Sequence, residues 1–387
     1  MRSASAADAS SLRSRIVSVD ALRGLVMLLM LVDHVREFVY LHVQVRDPMD
    51  LGLTPPALIL TRLTSHLCAP AFILLTGLSA SLHAQKHGDR GATSAFLLKR
   101  GLLLILLEVT LVNLAWAHSL PPSILYLQVI WAIGLSMVAL AALLWLPRAA
   151  LILFALVVML GHNLFDGLVL QPGDSGYVLW SILHQRGFLE LPWGAARTSY
   201  PVLPWFGVIA AGYALGPLFV RSVGPATRCA ELLILSSGAL AAFLILRCLN
   251  GYGEPVPWQT GASFLMTALS FVNLTKYPPS ADFLLLTLGL GLGLLTLFEA
   301  VPVRSLGWLR TFGGAPLFFY LAHLWLLRLL HDSALALGLG GASARIEAGA
   351  PVQIWLVAAA LAPLLWLACR WMVGLKRRAA WSGLSYL

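Results

Sequence analysis

Long apolar runs separated by short polar segments dominate the chain. Each run is about 20 residues long, which is the length that an α-helix needs to cross a hydrocarbon core of roughly 30 Å. The pattern predicts an all-α fold, a polytopic transmembrane bundle forming a single domain over 16–375, with a disordered tail at 1–15 and a basic tail at 376–387. We count about ten runs: 17–41, 57–82, 96–117, 124–146, 149–169, 202–220, 229–249, 281–301, 312–332 and 352–374.

One further apolar segment, 261–274 (GASFLMTALSFVNL), is too short to be counted with the others. If it spanned, the C-terminal Lys-Arg-Arg would move to the opposite side of the membrane from the other basic loops. We therefore expect a re-entrant or interfacial segment, which is tolerated at membrane depth where it is buried in protein or lines a wet cavity.

Composition excludes an ordinary soluble protein. Of the 387 residues, 59% are apolar and 11% are charged, whereas a soluble chain carries about a quarter charged residues. The net charge of +9 would suggest nucleic acid in a soluble protein, but here the excess lies mostly in short loops and at the C-terminus. We predict membrane lipids as partners and no nucleic acid. The four cysteines show no paired spacing and are interpreted as packing residues.

The loop charges predict the orientation, because cytoplasmic loops carry an excess of lysine and arginine. If the N-terminus is placed inside, the outer loops are poor in basic residues compared with the inner segments. We therefore predict that both termini are cytoplasmic. The outer loops then hold Arg46, Arg186, Arg197, Lys276 and Arg345. The inner segments hold Lys86, Arg90, Lys99, Arg100, Arg148, Arg221, Arg228, Arg304, Arg310, Lys376, Arg377 and Arg378.

Ionisable residues inside the first apolar run are candidates for function, since a charge at mid-bilayer is costly. Arg23 and His34 are eleven residues apart, so they lie within about 20° of one helix face and roughly 16 Å apart along the axis. Arg23 is either a snorkelling residue at the helix start or a donor-binding residue. Asp33 points about 100° away from His34 and is placed to pair with Arg36, three residues on.

Two further histidines, His66 on the second helix and His323 on the ninth, fall at the same predicted depth as His34. Three histidines at one level of three helices predict one site, where a neutral imidazole serves as base or nucleophile. Glu108 and Asn113 on the third helix are further candidates. The spacing of the histidines and acids matches no standard zinc motif such as HExxH, so we predict no metal.

Buried His, Asp and Arg are compatible with two activities. One is group transfer across the membrane, from a negatively charged cytoplasmic donor to a hydroxyl or amine acceptor outside. The alternative is a proton-coupled secondary transporter of a small solute. A five-plus-five repeat would place histidines on helices 6 and 7, which carry none, and this counts against the transporter. A non-catalytic scaffold leaves the buried charges unexplained.

The segment RIVSVDALRGLVMLLMLVDHVREF resembles the opening helix of the integral-membrane acyltransferase superfamily. Its recurrent signature is an arginine followed some ten residues later by a histidine, close to the spacing of Arg23 and His34. Six further segments resemble the heparan-alpha-glucosaminide N-acetyltransferase catalytic-domain family, whose bacterial members form a separate branch. They are SHLCAPAFILLTG, LLKRGLLLILLEVTLVN, LQVIWAIGLSMVALAAL, SYPVLPWFGVIAAGYALG, TKYPPS and FGGAPLFFYLAHLWLL.

The resemblance implies an acyltransferase of ten to eleven helices in the inner membrane. It implies acetyl-CoA or a related acyl-CoA as cytoplasmic co-substrate, and a glycan or lipid-linked acceptor at the outer side; a homo-oligomer is compatible with the sequence. From depth and spacing we predict His34, His66 and Asp33 as catalytic residues, and Arg23, Lys99 and Arg100 as donor-binding residues. The predicted cavity-lining residues are His323, Glu108, Asn113, Tyr200, Tyr277 and Ser280.

Overall fold

A computed structural model describes most of the chain. The described residues are 16–39, 49–117, 119, 121–220, 222–340, 346 and 348–378. The predicted tail 1–15 lies outside them, as do three of the charges used for orientation, Arg46, Arg221 and Arg345.

Helices account for most of the described residues, and each predicted apolar run contains helical structure. The first half holds α1 (Val17–Val39), α2 (Pro56–Thr64), α3 (Cys68–His87), α4 (Arg90–Leu107), α5 (Asn113–Ala117), α6 (Val129–Leu143), α7 (Arg148–Gly161) and α8 (Tyr177–Leu183). The second half holds α9 (Leu203–Ala214), α10 (Pro225–Leu249), α11 (Phe264–Val272), α12 (Ala281–Ala300), α13 (Gly307–Gly313), α14 (Pro316–Ala336) and α15 (Pro351–Arg378). Because α15 continues to Arg378, the first residues of the predicted basic tail are helical.

Among the described residues, five helices are long and apolar enough to cross a membrane by themselves. The count becomes six if the bent pair Val303–Gly313 and Pro316–Ala336 is one span, and the predicted ten is therefore not reached by length and composition. The long helix α1 fails this test because each of its 18-residue windows contains at least three of the charged residues Asp20, Arg23, Asp33, Arg36 and Glu37.

Helix α1 lies at the centre of the bundle, where it contacts α3, α12, α13, α14 and α15. Small residues bring its neighbours close: a Cβ atom on Gly24 would lie 2.1 Å from the carbonyl oxygen of Leu309, and one on Gly313 would lie 1.9 Å from that of Asp20. Leu22, Val26 and Met27 are fully buried. Asp20, Asp33 and Arg36 of α1 are thereby buried within the protein.

The second apolar run is broken at Ser65–Leu67, a 3₁₀ turn between α2 and α3. Pro70 follows in the first turn of α3, where its missing N–H is tolerated. It cannot donate to the carbonyl of His66, which is the i−4 acceptor that a continuous helix would use. The chain therefore passes His66 in a tighter turn than a continuous α-helix would make.

Within the described residues, three short strands depart from the all-α prediction. They are β1 (Ile124–Leu127), β2 (Phe188–Leu191) and β3 (Gly194–Thr198). Strand β3 lies in the middle of the sheet, parallel to β1 and antiparallel to β2. The prediction that a helix begins at residue 124 was wrong, because the backbone of Tyr126 is paired with the side chain of Asn113 at 2.7 and 2.9 Å and with β3.

The loop 250–280 contains α11, a helix of nine residues that corresponds to the expected non-spanning segment. Arg247, which is 1% exposed, organises this loop by donating to the carbonyls of Phe271, Val256, Ser270 and Asn273 at 2.8–3.2 Å. Glu254 accepts from the backbone N–H of Thr275 at 2.9 Å. The loop is thus folded by its own polar contacts over the ends of the helices.

Candidate functional site

The centre of the candidate site is a pair of histidines from α1 and α14. His34 Nδ1 lies 2.6 Å from His323 Nε2, and His323 Nδ1 lies 2.8 Å from the carbonyl oxygen of Phe319. A carbonyl only accepts, so neutral His323 carries its proton on Nδ1 and offers a lone pair on Nε2. Neutral His34 then donates from Nδ1, which leaves its Nε2 as a basic atom.

Aromatic rings fix the orientation of His34. Its ring is nearly parallel to that of His323, with centroids 4.9 Å apart, and it makes edge-type contacts with Trp116 at 5.5 Å and Tyr320 at 6.2 Å. His323 is fully buried, whereas His34 is partly exposed. The buried histidine therefore supports the one that is accessible.

Asp33 lies beside His34 and is held between two arginines. Its Oδ1 accepts from Arg36 Nε at 3.1 Å, which is the pair that the three-residue spacing predicted, and its Oδ2 accepts from Arg62 of α2. Both oxygens are therefore already paired with guanidinium groups. This arrangement suits an electrostatic and positioning role better than that of a proton acceptor.

His34 and Asp33 line a small pocket of about 30 Å³, room for a group the size of one or two water molecules. Lys276, from the loop after α11, adds a positive charge to its wall. The remaining lining residues are Met30, Ser65, Cys68, Ala69, Phe72, Val129 and Tyr200.

Two tyrosines mark the side of the pocket nearest the loops. Tyr277 donates to the hydroxyl of Tyr200 at 3.1 Å, and Arg186 lies over the Tyr277 ring, 5.1 Å from its centroid. Burial raises the pKa of Tyr277, but the positive charges of Lys276 and Arg62 outweigh it, so this pKa lies below its ordinary value. Tyr277 is thus a stronger hydrogen-bond donor than an ordinary tyrosine.

A larger cavity of about 250 Å³ opens beyond the small pocket. Most of its wall is apolar, and its cations are Arg23, Arg100 and Lys376. Arg23 is positioned by Asp20 at 2.8 Å and Ser79 at 3.0 Å. The apolar part of the wall includes Met30, Phe72, Phe96, Leu97, Leu104, Val129, Ile130, Ile133, Met137, Leu317 and Tyr320.

The two cavities share Met30, Phe72 and Val129 in their walls. These three apolar side chains, which we call the dividing wall, stand between the cationic cavity and the histidine pocket. Arg23 and His34, on one face of α1 as the spacing predicted, line different cavities. This face of α1 therefore extends from the larger cavity to the small pocket.

Other predicted site residues lie elsewhere. His66 is buried against Phe283, with ring centroids 5.2 Å apart, and is not among the lining residues of either cavity. Lys99 is exposed and also lines neither cavity. Ser280 accepts from the N–H of Phe283 at 3.1 Å and caps α12.

Glu108 and Asn113 are fully buried and serve the backbone around them. Glu108 accepts from the N–H of Trp131 at 3.1 Å, and Asn113 pairs with Tyr126. Glu108 opens a π-helical turn, Glu108–Val112, between α4 and α5. Both residues shape the helix that carries Trp116 to His34.

Lys276 is the site residue that sequence reasoning missed. The sequence placed it among the basic residues of the outer loops, while the structure places it in the pocket wall with His34. Its neighbour Tyr277 was singled out, and the segment TKYPPS was noted. Its position directly before Tyr277 could have identified Lys276 as a further candidate for the site.

The catalytic-domain model of heparan-alpha-glucosaminide N-acetyltransferase matches residues 15–246, more than half of the chain. The chain belongs to this family. No curated protein matches it. Membership in the heparan-alpha-glucosaminide N-acetyltransferase catalytic family, together with the apolar helices, identifies a multipass membrane protein of acyltransferase type.

The family match covers only part of the site. His34, Asp33 and the cations Arg23 and Arg100 lie inside it, whereas Lys276, Tyr277, His323 and Lys376 follow residue 246. In this member of the heparan-alpha-glucosaminide N-acetyltransferase family, the second half of the chain completes the pocket around a histidine supplied by the first half.

Proposed function

We propose that this protein transfers an acyl group from an acyl-CoA in the larger cavity to a hydroxyl or amine acceptor that enters the small pocket from the opposite side. The observation that carries the proposal is the pair of cavities separated by the dividing wall, one lined by three cations and the other by His34. Family membership supports the reaction class.

The larger cavity suits the donor. Arg23, Arg100 and Lys376 would bind the phosphates of CoA, and the apolar wall would hold its extended thiol arm. The loop charges predict that this end faces the cytoplasm, where acyl-CoA is found. The thioester carbon would then lie at Met30, Phe72 and Val129.

The small pocket suits the reaction itself. As the acceptor oxygen or nitrogen bonds to the thioester carbon, its proton passes to His34 Nε2. The C–S bond breaks, and the imidazolium returns the proton to the departing thiolate, so the products are an acylated acceptor and a free thiol. His323 Nε2 stabilises the transient positive charge on His34. Lys276 stabilises the negative charge that develops on the carbonyl oxygen of the thioester.

The small volume of this pocket favours a short acyl group, and we propose acetyl. The Tyr200–Tyr277 pair and Lys276 offer hydrogen bonds to a polar acceptor such as a glycan hydroxyl or amine.

A direct test compares His34→Gln with the original protein in detergent or liposomes, using acetyl-CoA and a panel of amino sugars and glycans. We expect the variant to lose about 10²- to 10⁴-fold in transfer rate while CoA binding persists. His87→Gln, at an exposed site on α3, is the matched control and keeps full activity. Undiminished transfer by the His34 variant would contradict the assignment, and solute-driven proton flux without CoA binding would favour a transporter.

A further inference from the structure

A second cluster of titratable groups lies away from the acyl-transfer pocket, where the end of α7 meets the segment after α8. His162 begins the 3₁₀ turn that follows α7, and Asp166 comes directly after this turn. His184 comes directly after α8. His162 and His184 are 2% and 3% exposed, and Asp166 is partly exposed. Neither the family match nor the proposed reaction gives this cluster a role.

The distances within the cluster are those of metal ligands. His162 Nδ1 lies 3.2 Å from His184 Nε2, the Asp166 Oδ1 atom lies 3.7 Å from His184 Nε2, and one ligand atom from each residue falls within 4.8 Å of the others. Tetrahedral ligation with bonds of about 2.0–2.1 Å separates nitrogen ligands by roughly 3.3 Å. The three atoms therefore need only small movements to share one ion.

The surroundings hold the ligands in place. The His184 ring stacks on Trp180 with centroids 4.8 Å apart, and Asp166 Oδ2 accepts from Asn163 at 2.7 Å. The carbonyl oxygen of His162 lies 2.9 Å from His184 Nε2, where it is available as a fourth ligand. Coordination requires only that neutral His184 shift its proton from Nε2 to Nδ1, without a change in net charge.

From this geometry we propose a zinc site formed by His162, Asp166 and His184. Two imidazoles and a carboxylate are typical zinc ligands. Sequence spacing could not indicate the site, because its ligands come from two segments separated by α8.

The site would join elements that reach the acyl-transfer pocket. Asn163, beside His162, accepts from the N–H of Ala281 at the start of α12 at 2.9 Å. Arg186, two residues after His184, lies over Tyr277. A bound ion would therefore brace the loop that holds Tyr277, a consequence that rests on the proposed function, whereas zinc binding itself does not.

The test measures metal in the purified full-length protein after removal of metal with a chelator, addition of zinc sulfate and gel filtration. We expect one zinc per chain in the original protein and in the control His87→Asn, which alters the His83–His87 pair on α3 that lies outside this cluster. His184→Asn should lose the ion. Asp166→Asn should lower the affinity for zinc at least about tenfold, since even the loss of a residue that only supports a ligand typically costs that much.

Cobalt supplies a second readout that does not depend on the folding of a variant. We expect visible absorption of a four- or five-coordinate Co²⁺ in the original protein, displaced by one equivalent of zinc. Absence of stoichiometric zinc and of this spectrum in the original protein overturns the proposal. Retention of zinc by both His184→Asn and His162→Asn overturns it as well.

Discussion

Which ring nitrogen of His34 is basic depends on a hydrogen bond between His323 and the backbone of Phe319. The Phe319 carbonyl fixes the proton of His323, and His323 in turn fixes the proton of His34. The same logic of an oriented base operates in hydrolases that use a histidine with a buried partner. Here the partner is a neutral imidazole, so the pair contributes no buried net charge.

Replacing His323 with phenylalanine tests this relay. His323→Phe retains an aromatic ring but removes the acceptor for His34 Nδ1–H, and we expect kcat to fall about ten- to a hundredfold, corresponding to about 1–3 kcal/mol for an unsatisfied donor. His323→Gln keeps an acceptor and should recover part of the rate. Steady-state kinetics check both variants, and equal kcat for the two would argue against the relay.

Lys276 is expected to act on the transition state more than on binding. Lys276→Met should lower kcat by about 10²-fold with a small change in KM for either substrate, because a donor to a developing oxyanion contributes mainly as charge forms. Lys86→Met, at an exposed position on α3, provides the matched control. A change confined to KM would instead place Lys276 in ground-state binding.

At the scale of elements, glycines decide how closely the helices of the bundle pack. A Cβ atom on Gly212 of α9 would lie 2.0 Å from the carbonyl oxygen of Leu74 on α3, while one on Gly77 of α3 would lie 2.0 Å from that of Ile209 on α9. Each helix thus presents a glycine to the backbone of the other. Phe72 of the dividing wall lies on α3, so its position depends on this contact.

We expect Gly212→Ala to destabilise the protein by about 1–3 kcal/mol, since the backbone must move to admit the methyl group. Gly238→Ala, on α10 with no atom within 4 Å of the added Cβ, should be neutral or slightly stabilising because alanine favours helix. Thermal unfolding in detergent compares the two, and equal melting temperatures would contradict the packing argument.

Much of this element-level structure was predictable, and the exceptions have physical causes. Apolar runs of spanning length located the helices. The strand Ile124–Leu127 escaped prediction because an apolar β-strand cannot be told from a helix start by periodicity alone, and its pairing partner lies some seventy residues away. The contact of His34 with His323 agrees with their predicted depth, whereas His66 turns toward Phe283 because the 3₁₀ turn before Pro70 redirects it.

At the scale of the whole molecule, the two ends of the bundle are expected to differ in the charges that bind substrate. Arg100 lines the larger cavity and its neighbour Lys99 does not, so the two offer a matched comparison. Arg100→Gln should raise KM for acyl-CoA about tenfold through loss of a charged hydrogen bond, and Lys99→Gln should leave it unchanged. Equal effects would mean that the donor binds by overall charge rather than in this cavity.

The wall of Met30, Phe72 and Val129 has a consequence for the membrane itself. A site open to both compartments would be a leak for protons and ions, yet apolar constrictions exclude ions by shedding water. If donor and acceptor meet across this wall, the acyl group passes outward and one proton passes inward in exchange, while CoA and acceptor stay on their own sides. Each turnover would then carry that proton and no other ion across the membrane, with three apolar side chains as the seal.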